Sequence, residues 1–193
     1  MNYLAHCYLS GSNEDLLIGN FMTDFMQKKE EANYSGVVLK GIELHRAIDT
    51  FTDLHPASLE LRASLRKRHG KYASVVVDLI WDYLLSKHWT SFSDKPLESF
   101  NAWVYEIMSR RKDELPTRLN SRIEGMIKGD FLMAYASKQN MLKSLEWMDQ
   151  RVNFKSAFPS AIEDLEENEE EFKQLFMKFF PELVDHSMLL CNL

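Results

Sequence analysis

Two aspartates, Asp78 and Asp82, interrupt the stretch VVVDLIWDYLLSKHW at residues 75–89, among valines, leucines, an isoleucine and two tryptophans. Four residues apart on a helix, they share one face at about 6 Å. Two like charges at that distance repel by roughly 3 kcal/mol at an effective dielectric near 20, and each loses several kcal/mol more on leaving water. Compensation must come from a protonated carboxyl, a buried arginine or histidine, or a bound cation.

Upstream, GIELHRAIDTFTD sets His45, Asp49 and Asp53 at i, i+4 and i+8, with Arg46 beside them. An imidazole and a carboxylate one turn apart can hold the same metal ion, the carboxylate can orient the imidazole, or the two can form an ordinary intrahelical hydrogen bond. Asp24 in FMTDFM and His6 in YLAHCYL are polar insertions of the same kind. Five of the six histidines lie in the first 88 residues, so the N-terminal half is expected to build any site. Imidazole with carboxylate is a ligand set for manganese, iron, magnesium or zinc in hydrolytic sites. No Ser-His-Asp order, phosphate-cradling glycine loop or dinucleotide fingerprint competes with that reading. His88 is expected at the edge of such a site, whereas His55 suits a helix cap and His69 a basic helix end.

The elements that carry these residues read as helices. Seven glycines and five prolines in 193 residues, with abundant Leu, Ala, Glu, Lys and Met, predict an all-α protein, a single multi-helix domain spanning 1–193. Ser12-Asn13-Glu14-Asp15 is a capping signal for a helix through about residue 28. Further helices are expected at 36–54, from Pro56 to Gly70, and over 72–92, 96–112, 117–128, 130–152 and 159–179, with a short piece after Pro181.

Two cysteines, Cys7 and Cys191, form no metal or redox motif and suit a reducing cytoplasm. The chain opens without a basic leader, and no run approaches the length of a membrane span. A net charge of -6 with one short basic segment, ELRASLRKRHGK, argues against nucleic acid. The acidic run EDLEENEEE reads as a solvated helix face.

MNYLAH, GNFMTDF around Asp24, HRAIDTFTD from His45 and DLIWDYLLSKHW from Asp78 together resemble the acyl carrier protein phosphodiesterases, unorthodox members of the HD phosphohydrolase superfamily. The resemblance covers the first 90 residues. It implies an HD-phosphohydrolase-like helical bundle and a divalent metal, typically manganese, with magnesium or iron as alternatives. It also implies a reaction: hydrolysis of the phosphodiester joining 4′-phosphopantetheine to a serine of holo-acyl carrier protein. No His is followed directly by Asp in the chain, and Glu43 occupies a place where family members can carry a histidine.

Combined with the physical reading, the resemblance gives His6, Asp24, His45 and Asp78 as metal ligands. Asp82 or Asp49 would orient the attacking water, and Arg46 or His88 would neutralise phosphoryl charge. Arg62, Arg66, Lys67 and Arg68 would dock the acidic carrier protein. Two rival expectations are a metal phosphohydrolase for a nucleotide or other small phosphodiester, and a non-catalytic carrier-protein binder.

Overall fold

The computed structural model describes residues 1–152 and 156–191. Among the described residues nine α-helices run in order: α1 (Tyr3–Leu9), α2 (Glu14–Met22), α3 (Gly36–Leu54), α4 (Pro56–His69), α5 (Ala73–Lys87), α6 (Leu97–Arg110), α7 (Thr117–Lys128), α8 (Lys138–Asp149) and α9 (Ala161–Cys191). Short 3₁₀ turns join several of them, and no strand is present among the described residues. The protein is all-α.

Punctuation in the sequence sets most boundaries. Asn13 caps α2 by accepting from the amides of Asp15 and Leu16 at 3.0 and 3.1 Å. Pro56 opens α4, and Gly70, with φ +54°, ends it in a conformation that favours glycine. Three expectations are revised. The first expected helix gives way after Met22 to a 3₁₀ turn at Thr23–Phe25, and 130–152 splits into a 3₁₀ turn at Phe131–Met133 and α8. Pro181 does not separate two pieces, because α9 runs through it and departs from helical geometry only at Asn168 (φ −131°, ψ 18°).

The core forms around α5, whose Trp81 is fully buried. Its ring stacks on Phe179 of α9 at 5.3 Å, and its indole N–H donates to Ser58 Oγ of α4 at 3.1 Å. Burying such a side chain contributes about 1.5–3 kcal/mol, so this one residue ties three helices together. The acidic run is part of this packing and not a merely solvated face. Asp164 is buried against His69 at 2.6 Å, and Glu169 takes hydrogen bonds from Tyr83 and Lys87 and pairs with Lys138.

Two glycines position the site. A Cβ on Gly19 of α2 would lie 2.0 Å from the carbonyl oxygen of Val38, and one on Gly41 of α3 2.5 Å from that of Leu16. With only hydrogens there, α2 and α3 cross with their backbones in contact. The next residue on α2, Asn20, therefore meets the His45 side of α3.

Candidate metal centre

Asn20 is fully buried and organises both imidazoles. Its Nδ2 donates to the carbonyl of His6 at 2.9 Å and to Ser10 Oγ at 3.0 Å. A carbonyl can only accept, so the amide orientation follows from chemistry and Oδ1 is the acceptor toward the rings. That oxygen lies 2.8 Å from His6 Nδ1 and 3.2 Å from His45 Nδ1, and the Asn20 backbone carbonyl lies 2.9 Å from His45 Nδ1. Both Nδ1 atoms face only acceptors and carry hydrogen. In the neutral rings each Nε2 then presents a lone pair on the other side.

Those Nε2 atoms point at carboxylates. His6 Nε2 is 3.3 Å from Asp49 Oδ1, and His45 Nε2 is 3.2 Å from Asp49 Oδ2 and 3.3 Å from Asp24 Oδ1. The two rings stack at 4.1 Å with 22° between their planes. The imidazoles are 3% and 5% exposed, whereas the Asp24 and Asp49 side chains are 48% and 46% exposed. The buried rings thus form a floor, and the carboxylates open from it into solvent.

Electrostatics follow from that layering. Burial pulls the His6 pKa down, and the charge of neighbouring His45 adds to the effect. In His45 burial is outweighed by Asp24 and Asp49, which lift it to about 9. Burial would raise both carboxyls, but the imidazoles hold Asp24 and Asp49 below the ordinary carboxylate range. A positive charge at Nε2 of His45 is therefore favoured, whether a proton or a metal ion supplies it. Donor atoms of His6, His45 and Asp49 all lie within 4.8 Å of one another and could hold one metal ion. The donor set and the two anchored Nδ1 atoms fit such an ion.

The cluster opens into a cleft of about 1480 Å³. His6, Asp24, Asp49 and Asp78 line one side, and Arg122 and Met126 of α7, Lys143 and Trp147 of α8 and the following Arg151 line another. The cluster lies in the N-terminal half, and α7 and α8 add the opposite lining of the cleft.

Other expected site residues are placed differently. Asp82 accepts from the backbone amides of Asn2 and Leu4, both at 3.1 Å, and so caps α1 from across the core. Asp78 borders the cleft, but its Oδ1 is 2.8 Å from the α-ammonium of Met1. Burial raises both carboxyls, and the ammonium opposes it in each. Arg46 turns away from the cleft, pairing with Glu31 through two contacts at 3.0 and 2.6 Å. His88 follows the last turn of α5 and does not line the cleft.

The α4 cations are also remote from the cleft lining. Arg68 pairs with Glu163 at 3.0 Å and Asp164 at 3.3 Å, while Arg66 and Lys67 are exposed and Arg62 half-buried. Sequence reasoning missed Asn20. The available signal was an amide inside the apolar run LLIGNFM, next to a glycine.

An all-helical fold carrying two anchored imidazoles and two carboxylates at a cleft defines a helical protein with a centre of the kind hydrolases use for divalent ions. Residues 1–183 match the family model described as acyl carrier protein phosphodiesterase, and the chain belongs to that family. It is 29% identical to the acyl carrier protein phosphodiesterase of Photorhabdus laumondii over 188 residues, covering 96% of this chain and 94% of the relative. The enzyme of the same name from Escherichia coli O45:K1 is 28% identical, with 97% of each chain covered. That from Salmonella agona is 29% identical over 185 residues, 95% of this chain and 96% of the relative. No solved structure matches. No helix among the described residues is long and apolar enough to cross a membrane.

Proposed function

We propose that this chain hydrolyses the phosphodiester between 4′-phosphopantetheine and a serine of holo-acyl carrier protein, releasing the apo-protein and 4′-phosphopantetheine. The observation that carries the reading is the pair of buried imidazoles whose Nε2 lone pairs converge with Asp49 on an open cleft, in a chain of this family. His6, His45 and Asp49 would hold a divalent ion, manganese in first place, with magnesium or iron as alternatives. Such an ion, when bound, supplies Lewis acidity toward a phosphoryl oxygen and a more acidic water.

The remaining work falls to the chain's own side chains. Asn20 fixes both rings with Nδ1 protonated, so each Nε2 stays directed at the cleft. Asp24 stays largely open, with Oδ1 directed at His45, and is the carboxylate that orients the attacking water and accepts its proton. Asp78 and Asp82 hold the first turn of α1, and with it His6, against α5. Asp49 thus moves from water-orienting group to ligand and Asp24 from ligand to water-orienting group, Asp78 and Asp82 become positioning residues, and Arg46 and His88 take no part.

Mass spectrometry of holo-acyl carrier protein incubated with the purified protein and manganese, with and without EDTA, tests this reading. Loss of the prosthetic group only without chelator is expected. Hydrolysis of a small phosphodiester while holo-carrier protein stays intact would replace it with a small-molecule phosphohydrolase.

A further inference from the structure

Several arginines of this acidic molecule already carry a carboxylate. Arg46 is held by Glu31, Arg68 by Glu163 and Asp164, Arg110 by Glu14, and Arg111 by Asp15 and Glu114. Arg122, Lys143 and Arg151 differ. All three are exposed, all line the cleft that contains the cluster, and none forms an ion pair among the described residues. Arg151 instead lies over the indole of Trp147, 3.9 Å from the ring centroid, and that tryptophan is 56% exposed. An exposed aromatic beside unpaired cations is the composition of a protein-binding anchor.

The position of the scissile bond adds a geometric demand. In the proposed reaction the phosphorus is attached directly to a serine oxygen, and a serine side chain is too short to act as a spacer. The carrier's own backbone must therefore approach the mouth of the cleft. Cations that dock it have to stand at that mouth, and the α4 cations do not line it. Tyr3, at the cleft, feels Asp24 on one side and Arg118 and Arg122 on the other, so the α7 cations lie within electrostatic reach of the cluster.

We infer that the α7–α8 wall, through Arg122, Lys143 and Arg151 with Trp147 beside them, is the docking surface for the acidic surface of the carrier protein, and sets its serine-linked phosphodiester over His6, His45 and Asp49. This rests on the proposed function. Complementary charge at the rim acts mainly on encounter and on KM, with a strong salt dependence.

Steady-state kinetics with holo-acyl carrier protein and with bis(p-nitrophenyl) phosphate, a phosphodiester without a protein surface, test the inference, together with titration of apo-carrier protein. Reversing R122E, K143E and R151E together is expected to lower the preference for holo-carrier over the small diester about tenfold or more. It should flatten the salt dependence of kcat/KM and abolish binding of the apo-carrier. The milder R122Q/K143Q/R151Q set should fall between. Reversing Arg62, Arg66 and Lys67 on α4 should alter none of these.

Unchanged preference in the α7–α8 variants overturns the inference, as does weakened apo-carrier binding in the α4 variant. Equal loss on both substrates also overturns it, because the wall would then belong to the small-substrate site or the fold. If the wild-type protein cleaves the small diester and never the holo-carrier, the function itself fails. If it cleaves the holo-carrier while the α7–α8 variants keep full apo-carrier affinity, only the docking surface fails.

Discussion

Helices α3 and α5 each carry a pair of ionisable groups four residues apart in an apolar context, and the two pairs have opposite fates. On α5, Asp78 is met by an ammonium through Oδ1 and Asp82 by two backbone amides, so donors from the chain itself engage both carboxyls. On α3, His45 and Asp49 are met by other acceptors and by another imidazole, and the remaining lone pairs face a cleft. Identical spacing therefore says nothing about role. What separates a brace from a site is whether the facing element supplies donors or more acceptors.

The comparison breaks most visibly if the α3 pair is dispensable. His45→Gln or Asp49→Asn should reduce turnover of holo-carrier protein by about 10³-fold or more, the loss of several kcal/mol of Lewis-acid stabilisation. Circular dichroism should show the helical content unchanged. Asn20→Leu comes next. It removes the acceptor of His6 Nδ1 while His45 keeps the Asn20 backbone carbonyl, so metal affinity by calorimetric titration should fall about 10- to 100-fold.

Asp82→Ala sharpens the contrast from the other side. Two buried or half-buried amides lose their acceptor, costing about 1–3 kcal/mol, and the melting temperature should drop by several degrees. Metal affinity of the molecules still folded should change less than in Asn20→Leu.

A pH series separates the pairs again. In metal-free protein His45 binds its proton more tightly than in the unfolded chain, where its pKa is ordinary, at about 6.5. Its contribution is full below that pH and is lost as pH rises through about 9. Melting temperatures in EDTA should fall across that window for the wild type and more weakly for His45→Gln, while Asp82→Ala, which removes a carboxyl that burial raises to about 7, at the lower edge of the window, keeps most of the slope. The smallest effect is expected for Arg46→Ala, adjacent to His45 in sequence but paired with Glu31 outside the cleft lining. Its exposed pair with Glu31 is screened by water and adds little, and turnover should stay within a factor of two.

What was legible in the sequence was what local rules govern. The limits of α3 and α4 follow from Pro56 and Gly70, and His6, Asp24, His45 and Asp49 stood out as polar groups in apolar helical company. Asn20 did not, because an uncharged amide in a helix raises no electrostatic alarm and its role depends on the close crossing at Gly19 and Gly41. Nor did the partners of Asp78 and Asp82, which lie 77 to 80 residues away and leave no periodic trace. Arg122, Lys143 and Arg151 look in sequence like any solvated helix face. Their place along the cleft, with no ion pair among the described residues, distinguishes them from the paired cations elsewhere.

The Asp82 cap on α1 also bears on the order in which the molecule is made. A seven-residue helix is too short to persist in water alone, and its remote cap lies about eighty residues downstream. His6 rides on α1, so the ring that Asn20 anchors is braced from the far side only once α5 has been translated and packed. A nascent or half-folded chain can therefore hold formed helices while lacking a metal centre. Cation binding at the proposed centre would then report a tertiary structure in which the α1–α5 contact has closed.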